Sequence, residues 1–421
     1  MATADRMLRD MKKLGLSLPE YGTGRDGRIL NSDLQRVLAE YHFDQINEPS
    51  FGYVLRMSLD ELMLSYRYDK LPEARQNRLM ADNNGWVAEE KYNGCRMFVT
   101  YHPREGFGFF GRNRSKKTYL PIDYTSKILI NGKKANEFVD LFDTPFAFDA
   151  EILTDGYVET QSGSFTGSTL NAAVAILQLE DEDSWLMQKT TAPLYCKLFD
   201  FLPVYDVPTS CATHLTLGER EMIGKPIAIK LTEKLPFFQQ SERIAVGKQA
   251  FLNGLLASGK EGIILKNIDA PYVPGRNGYR DKDACIKVKR TMVGSLGDDI
   301  DAYIIGHTNG EEWDKKYRIA GIKLAVQLRD ADGNMREHWI ATVSGIPDDI
   351  RDELSYLGPE DCQASLNEAY LGKVLTIDGQ DISARNRRIA HAKVDWKVGF
   401  RSDKTSDQCI LDEEFIEGQM F

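Results

Sequence analysis

The segment Trp86-Val-Ala-Glu-Glu-Lys-Tyr-Asn-Gly-Cys-Arg96 constrains this chain most. It stands between two alternating runs that read as strands, the second over 97–101, and it carries Lys91, Asn93, Gly94 and Arg96 in the order Lys-x-Asn-Gly-x-Arg. Asn-Gly is a turn pair, so the spacing predicts a turn with Lys91 at a strand end, its amine aimed into the cavity the turn borders. A lysine so placed is a candidate nucleophile. A Lys-x-[Asp/Asn]-Gly string arises by accident in roughly one chain in five of this length, so the motif gains its weight only from the residues further along the chain.

At 421 residues the chain has room for about three domains, each with its own core. Hydrophobic and charged contents of 42% and 28% are those of an ordinary soluble globular chain. The absence of a long apolar run or an N-terminal signal core leads us to expect a cytoplasmic protein with no membrane partner. The six cysteines contain no Cys-x-x-Cys pair, which argues against zinc ribbons and a disulfide scaffold. A net charge of −10 means that any nucleic-acid grip must come from locally concentrated cations.

Residues 1–75 read as a small helical module: Met7, Met11 and Leu14 recur at helical spacing, and Leu34, Val37, Leu38 and Tyr41 do so behind an expected Asn31/Ser32 cap. Ser58-Leu-Asp-Glu61 has the spacing of a capping box, and the basic, Gly-rich link at 22–28 makes the module a candidate DNA clamp. From 76 to 290 the pattern is strand-rich. Gly106-Phe-Gly-Phe-Phe-Gly-Arg-Asn113 reads as the third strand of a meander, ending in the basic cluster Arg112, Arg114, Lys116 and Lys117. In Phe146-Ala-Phe-Asp-Ala-Glu-Ile-Leu153 the alternation puts Asp149 and Glu151 on one side. A helix is expected over 169–179, a strand over 194–202, then a loop and a helix over 241–258 that stops at Gly259. Lys260-Glu-Gly-Ile-Ile-Leu-Lys266 carries Glu261 at the mouth of a strand, and Cys285-Ile-Lys-Val-Lys-Arg290 puts Lys287 and Lys289 on one face. Residues 291–421 break into short strands with tight turns, which suits a small Greek-key barrel.

Lys91, Arg96, Arg112, Glu151, Glu261, Lys287 and Lys289 all fall at polar strand ends. Two carboxylates and several cations around a lysine suit nucleotidyl transfer: the cations hold phosphates, and a carboxylate brings in a divalent metal. An amine that attacks phosphorus must be neutral, so Lys287, Lys289 and Arg96 acquire a second task, keeping Lys91 uncharged by like-charge repulsion.

With these motifs in order, the chain resembles the ATP-dependent DNA ligases of the covalent nucleotidyltransferase superfamily, and looks most like the compact ligases of bacteriophages. Lys91-Tyr-Asn-Gly-Cys-Arg96 is similar to the adenylated-lysine motif, Gly111-Arg-Asn113 to the segment that touches the nick phosphate, and Phe148-Asp-Ala-Glu151 to the ribose-contacting strand. Leu198-Phe-Asp-Phe-Leu202 resembles the strand whose aromatic, here Phe199, stacks on adenine. Glu261-Gly-Ile-Ile-Leu-Lys266 is similar to the metal-linked motif, Lys287-Val-Lys289 to the paired-lysine strand, and Gly399-Phe-Arg-Ser-Asp-Lys404 to the motif that orients pyrophosphate.

The resemblance implies a multidomain α+β architecture: a helical module (1–75), a nucleotidyltransferase domain of ATP-grasp-like antiparallel sheets with helices (76–290), and an OB-fold barrel (291–421). It implies nick sealing in DNA replication, repair and recombination, with ATP as AMP donor, Mg2+ or Mn2+ as metal, and a monomer encircling nicked duplex DNA. It gives Lys91 the adenylate, Glu89, Arg96, Arg112, Glu151, Phe199, Lys287, Lys289, Arg401 and Lys404 the nucleotide, and Glu261 with Glu151 the metal. Arg112, Arg114, Lys116, Lys117, Arg280, Lys282 and the Arg385, Arg387, Arg388 group are expected on DNA phosphates. Asn93 stands where most members carry Asp and Ala150 where they carry Gly, which leaves open an RNA ligase or capping guanylyltransferase on the same scaffold. A non-catalytic OB-fold nucleic-acid-binding protein is the alternative from another class.

Overall fold

A computed structural model describes residues 4–59, 61–160, 163–166, 170–206, 210–275, 278–289, 300–309, 318–357, 364–379, 382–383, 386–389, 392–394, 396 and 399–418. The chain divides into two compact units, Met1–Val288 and Lys289–Phe421, each a mixture of helices and sheets.

The first unit opens with helices α1 (Ala4–Lys13), α2 (Asn31–Asp44) and α3 (Phe51–Leu59). Met7, Met11, Leu34 and Leu38 form the apolar stripes of α1 and α2 and bury against Tyr119 and Leu120. The start of α2 is capped by Asp33 rather than by Asn31 or Ser32. Its carboxylate accepts from the Leu30 amide at 2.7 Å and from the Thr23 amide and hydroxyl at 3.0 and 2.7 Å, which ties the Gly-rich loop to the helix. Ser58 does not begin a helix. It lies in the last turn of α3, where its hydroxyl donates to the Val54 carbonyl at 3.0 Å, and Asp60 of the expected box lies outside the described residues.

The further helices of this unit include α4 (Leu170–Leu177), α5 (Leu217–Lys234) and α6 (Lys248–Ala257). Helix α5 falls in a stretch the sequence left as loop, its period masked by the internal Pro226. It starts on a reciprocal cap, the Thr216 hydroxyl accepting from the Glu219 amide at 3.2 Å and the Glu219 carboxylate from the Thr216 amide at 2.7 Å. The helix expected over 241–258 begins only at Lys248, because Gly247 (φ 76°) breaks the chain there.

The strands of the two main sheets of this unit, in chain order, are β1 (Ser65–Arg67), β2 (Trp86–Glu90), β3 (Cys95–His102), β4 (Gly106–Arg114), β5 (Pro121–Asp123), β6 (Phe146–Thr154), β7 (Leu194–Asp206), β8 (Ser210–Cys211), β9 (Phe238–Gln240), β10 (Arg243–Ile244), β11 (Gly262–Asn267) and β12 (Asp281–Lys289). One sheet has the order β1-β12-β11-β2-β10, and the other β8-β7-β6-β3-β4-β5 with β9 alongside β7. The expected meander of β2, β3 and β4 is therefore not formed. The chain leaves the first sheet at Glu90 and enters the second at Cys95, so Asn93-Gly94 is a crossing and not a hairpin turn. A Cβ on Gly94 would fall on the Ile152 carbonyl and the Leu153 and Glu151 side chains, so closeness to β6 is what calls for glycine here.

On one face of the second sheet Val99, Phe107, Phe109, Phe146, Phe148, Ala150 and Ile152 pack with Ala172 and Ile176 of α4 and Ala228 and Leu231 of α5. On the other face Phe98, Phe110, Ala147 and Leu202 meet Leu55 and Leu59 of α3 together with Tyr272, Ala284 and Cys285. Each large apolar side chain buried in this way contributes roughly 2 kcal/mol. Asp149 and Glu151 share a side of β6 with Ala147, as the alternation requires.

The second unit contains β13 (Ile300–Asn309), β14 (Ile319–Arg329), β15 (Met335–Val343), helix α7 (Asp348–Leu354), β16 (Val374–Asp378), β17 (Lys393–Val394), β18 (Phe400–Arg401) and β19 (Ile410–Asp412). Its sheet order is β15-β14-β13-β16-β17, with β18 on β16 and β19 parallel to β14. Ile304, Ile322, Leu324, Val326, Ile340, Leu375 and Ile377 make its core. Of the strand expected over 394–400, the short strands β17 and β18 are described, while 395, 397 and 398 lie outside the described residues. Among the described residues no helix is long and apolar enough to cross a membrane.

Candidate active site

Strands β2 and β11 pair antiparallel, with Glu90 opposite Ile263 and Glu89 opposite Ile264, so the end of β2 and the start of β11 form one edge. The Lys91 amide continues the ladder to the Gly262 carbonyl at 2.9 Å, which brings the side chains of Lys91 and Glu261 side by side. The Lys91 ammonium donates to the Glu261 carboxylate, and the two side chains keep 21% and 16% of their exposure. The candidate nucleophile thus hydrogen-bonds to one of the two carboxylates expected around it, and at 3.5 Å to the Tyr92 carbonyl.

Across the crossing, the Gly94 amide donates to Glu151 Oε1 at 3.0 Å. Burial pushes the Glu151 carboxyl up to about 7, while the charges of Lys91 and Arg96 pull it down. Arg96 stands opposite Glu151 in the ladder but turns its guanidinium to Asp149, with Nε 2.9 Å from Oδ1. Asp149 also accepts the Tyr272 hydroxyl at 2.7 Å, and the Tyr272 oxygen accepts the Met63 amide at 2.9 Å. That chain of charge-assisted bonds fixes the Arg96 rotamer. Burial, with Glu151 nearby, pushes the Cys95 thiol up to about 12, so it stays protonated beside the site.

Glu89 lies deeper, its side chain 3% exposed, paired with Arg243 at 3.2 Å and with the Lys266 ammonium. Lys266 and Arg243 also both donate to the Phe199 carbonyl, the former at 2.8 Å. Arg96 and Lys266 lie 5.7 and 5.0 Å from the centroid of the Phe199 ring. Lys91, Glu261, Glu151, Arg96, Glu89 and Phe199 are therefore linked, directly or through one intermediate side chain. Sequence reasoning missed Arg243, Asp149's partner Tyr272, and the part played by Lys266, although Lys266 closes the Glu261 motif.

Lys287 and Lys289 project from β12 on the face opposite the buried Ile286 and Val288, and are partly buried. Arg112, Lys116 and Lys117 are exposed, whereas Arg114 is partly buried and donates to the Tyr119 carbonyl at 3.2 Å. Arg280 and Lys282 are exposed at the start of β12, the Lys282 carbonyl accepting from Arg75 at 3.0 Å. In the second unit Asp301 gathers both cations of the 399–404 motif: Arg401 at 3.3 Å, and Lys404. Arg401 also grips Asp403 at 2.8 Å. Arg387 pairs with Glu413 at 2.7 Å, Arg388 lies over the Trp339 ring at 3.2 Å, and Arg385 is outside the described residues.

A family model described as the ATP dependent DNA ligase domain matches residues 63–289. The chain belongs to the ATP-dependent DNA ligase family. The region that places it there contains Lys91, Glu151, Phe199, Glu261, Lys287 and Lys289 and stops short of Arg401 and Lys404. A probable DNA ligase of Dictyoglomus turgidum is 30% identical to this family member over 102 residues, 22% of this chain and 17% of that protein. The DNA ligase of Variola virus is 25% identical over 238 residues, 54% of this chain and 36% of that protein. The matches thus span well under half of these two ligases' length. A solved structure named Pmar-Lig_Pre shares the fold, with a TM-score of 0.52 and 14% identity over 90% of this chain and 73% of that one.

Proposed function

We propose that the chain is an ATP-dependent DNA ligase that seals 5′-phosphate/3′-hydroxyl nicks in duplex DNA. The observation that carries this reading is Lys91 held against Glu261 where the chain crosses between sheets, with Glu151 and Arg96 on the strands it enters and faces. In the first step the Lys91 Nζ lone pair attacks the α-phosphorus of ATP. The bond to the bridging oxygen breaks, pyrophosphate leaves, Nζ loses a proton, and lysine-linked AMP results. An oxygen of the 5′-phosphate then attacks the same phosphorus, and Nζ leaves and regains its proton. Finally the 3′-hydroxyl attacks the 5′-phosphorus, giving up its proton as AMP departs.

Glu89 reads the adenine edge and Phe199 stacks on its face. Arg96 and Glu151 serve the ribose, Lys287 and Lys289 the α-phosphate, Arg112 the nick phosphate, and Arg401 and Lys404 the departing pyrophosphate. Mg2+ or Mn2+ fits the donor set, because Glu151 and Glu261 both interact with Lys91 and offer hard carboxylate oxygens. Among the described residues no group of three or more His, Cys, Asp or Glu could hold a metal, so nucleotide phosphates would complete the shell of an ion held by two carboxylates. When bound, the ion offsets charge developing on the phosphate oxygens.

The strand order of the second unit supports reading it as an OB-fold barrel, and we take residues 1–75 to be a DNA-contacting module. Arg112, Arg114, Lys116, Lys117, Arg280 and Lys282 supply phosphate contacts for a monomer that encircles the duplex. The test is incubation with radiolabelled ATP and Mg2+. Wild-type protein acquires label and Lys91→Ala does not; labelling of the variant overturns the nucleophile assignment. Joining assays on matched DNA and RNA nicks, with ATP and with GTP, decide the substrate.

A further inference from the structure

Strand β10 is only two residues long, yet it places Arg243 directly opposite Glu89 on β2. On the other side of β2, Glu89 faces Ile264 of β11, and Lys266 two residues further on shares that face. One carboxylate therefore sits in a row of three strands with a cation on each side. Lys266 takes Glu89 Oε1 and Arg243 takes Oε2 at 3.2 Å. Both cations then reach across to the second sheet and donate to the carbonyl of Phe199. Arg243 also meets Glu221 at 3.2 Å. Burial works against its charge, and Glu89, Asp200 and Glu221 together hold it more firmly protonated than an ordinary arginine.

Building on the reading of Glu89 and Phe199 as the edge and face of a base slot, we infer that Arg243, with Lys266, is the positioning residue that sets nucleobase specificity. It does so in two ways. First, it fastens the edge group on one sheet to the backbone of the stacking ring on the other, which fixes the width and tilt of the slot. Second, a carboxylate flanked by two cations acts as an acceptor only, and each oxygen has a second lone pair left for a base. An acceptor at that edge suits the exocyclic amine of adenine and opposes the carbonyl oxygen of guanine. Arg243 bonds to Glu89, Glu221 and the Phe199 carbonyl, so its effect is expected on base binding and selection.

The test is steady-state formation of lysine-linked nucleotide by the full chain with radiolabelled ATP and, separately, GTP. Arg243→Gln is expected to raise the KM for ATP about tenfold or more with little change in kcat, and to narrow the ATP-over-GTP preference by a similar factor. Arg243→Lys keeps one charge but cannot bridge Glu89 and Phe199 in the same fork, and is expected to fall between the two. It also keeps the question open to measurement should the Gln variant not fold. An unchanged KM and base preference in either folded variant overturns the inference, as does a fall in kcat alone. A wild-type protein that takes up no nucleotide would instead overturn the function on which the inference rests.

Discussion

The Lys91 ammonium and the Glu261 carboxylate are hydrogen-bonded across the mouth of an antiparallel strand pair, the ladder bond from Lys91 N to Gly262 O holding their backbones in step. In the reaction proposed above, an amine held by a carboxylate must be released before its lone pair can attack, and an arriving nucleotide and cation would compete for that carboxylate. Glu261→Gln is expected to cut lysine adenylation by about 10² or more, since a charge that acts in the transition state is lost. Label incorporation over a range of Mg2+ concentrations checks this; a wild-type rate would remove Glu261 from the site.

Glu151 makes the resting protein sensitive to pH. Its folded-state value near 7 lies above its ordinary 4.5, so the native state binds the extra proton. Its contribution to stability is then full below about 4.5 and is lost as pH rises through 7. Wild-type protein should lose on the order of 2 kcal/mol between pH 5 and pH 8 from this group, and Glu151→Gln should not. Urea midpoints of both proteins at the two pH values give the comparison.

The Asp200–Arg220 pair, at 2.8 Å with both side chains 1% exposed, serves structure. Burial would raise Asp200, but Arg220 and Lys266 hold it below the usual carboxylate range. Arg220→Met leaves a buried carboxylate short of its main partner and is expected to cost about 3–5 kcal/mol. A thermal-melting shift of less than a few degrees would contradict that.

Asp301 holds Arg401 and Lys404 with help from the Thr376 hydroxyl, which donates to it at 2.6 Å. Asp301→Asn is expected to slow adenylation by roughly tenfold, because the two cations proposed above to meet pyrophosphate lose their common anchor. Sealing of a nick that already carries AMP should be spared. Equal losses in both assays would assign Asp301 to folding alone.

Gly94 has no room for a side chain against Ile152 and Leu153. Gly94→Ala should force the crossing away from β6 and break the bond from Gly94 N to Glu151, with an expected loss of about 1–3 kcal/mol and of most adenylation. Retained activity at wild-type stability would show that the crossing tolerates displacement.

How much of the molecule is legible in its letters depends on the range of each interaction. Period-2 alternation is local, and it put Asp149 and Glu151 on one side of β6 and Lys287 and Lys289 on one face of β12 before any partner was known. The same logic set Glu261 at the mouth of β11. Pairing is not local. The letters around Asn93-Gly94 favour a turn, but whether the flanking strands join each other or part into two sheets depends on β6 and β11, some sixty and 170 positions away. Arg243 was invisible because a two-residue strand has no period, and the helical spacing after Lys248 absorbed its neighbourhood. Pro226 hid α5 in the same way.

The crossing at 91–94 has one more effect. Lys91 is anchored by its amide to the first sheet, while Glu151 is a residue of the second, so the distance between them reads out how closely those two sheets are pressed together. Loosening the shared packing at Phe98, Phe110 or Cys285 should therefore silence chemistry at temperatures where the rest of the unit is still folded. In such variants loss of activity would be the earliest sign of weakness in the scaffold.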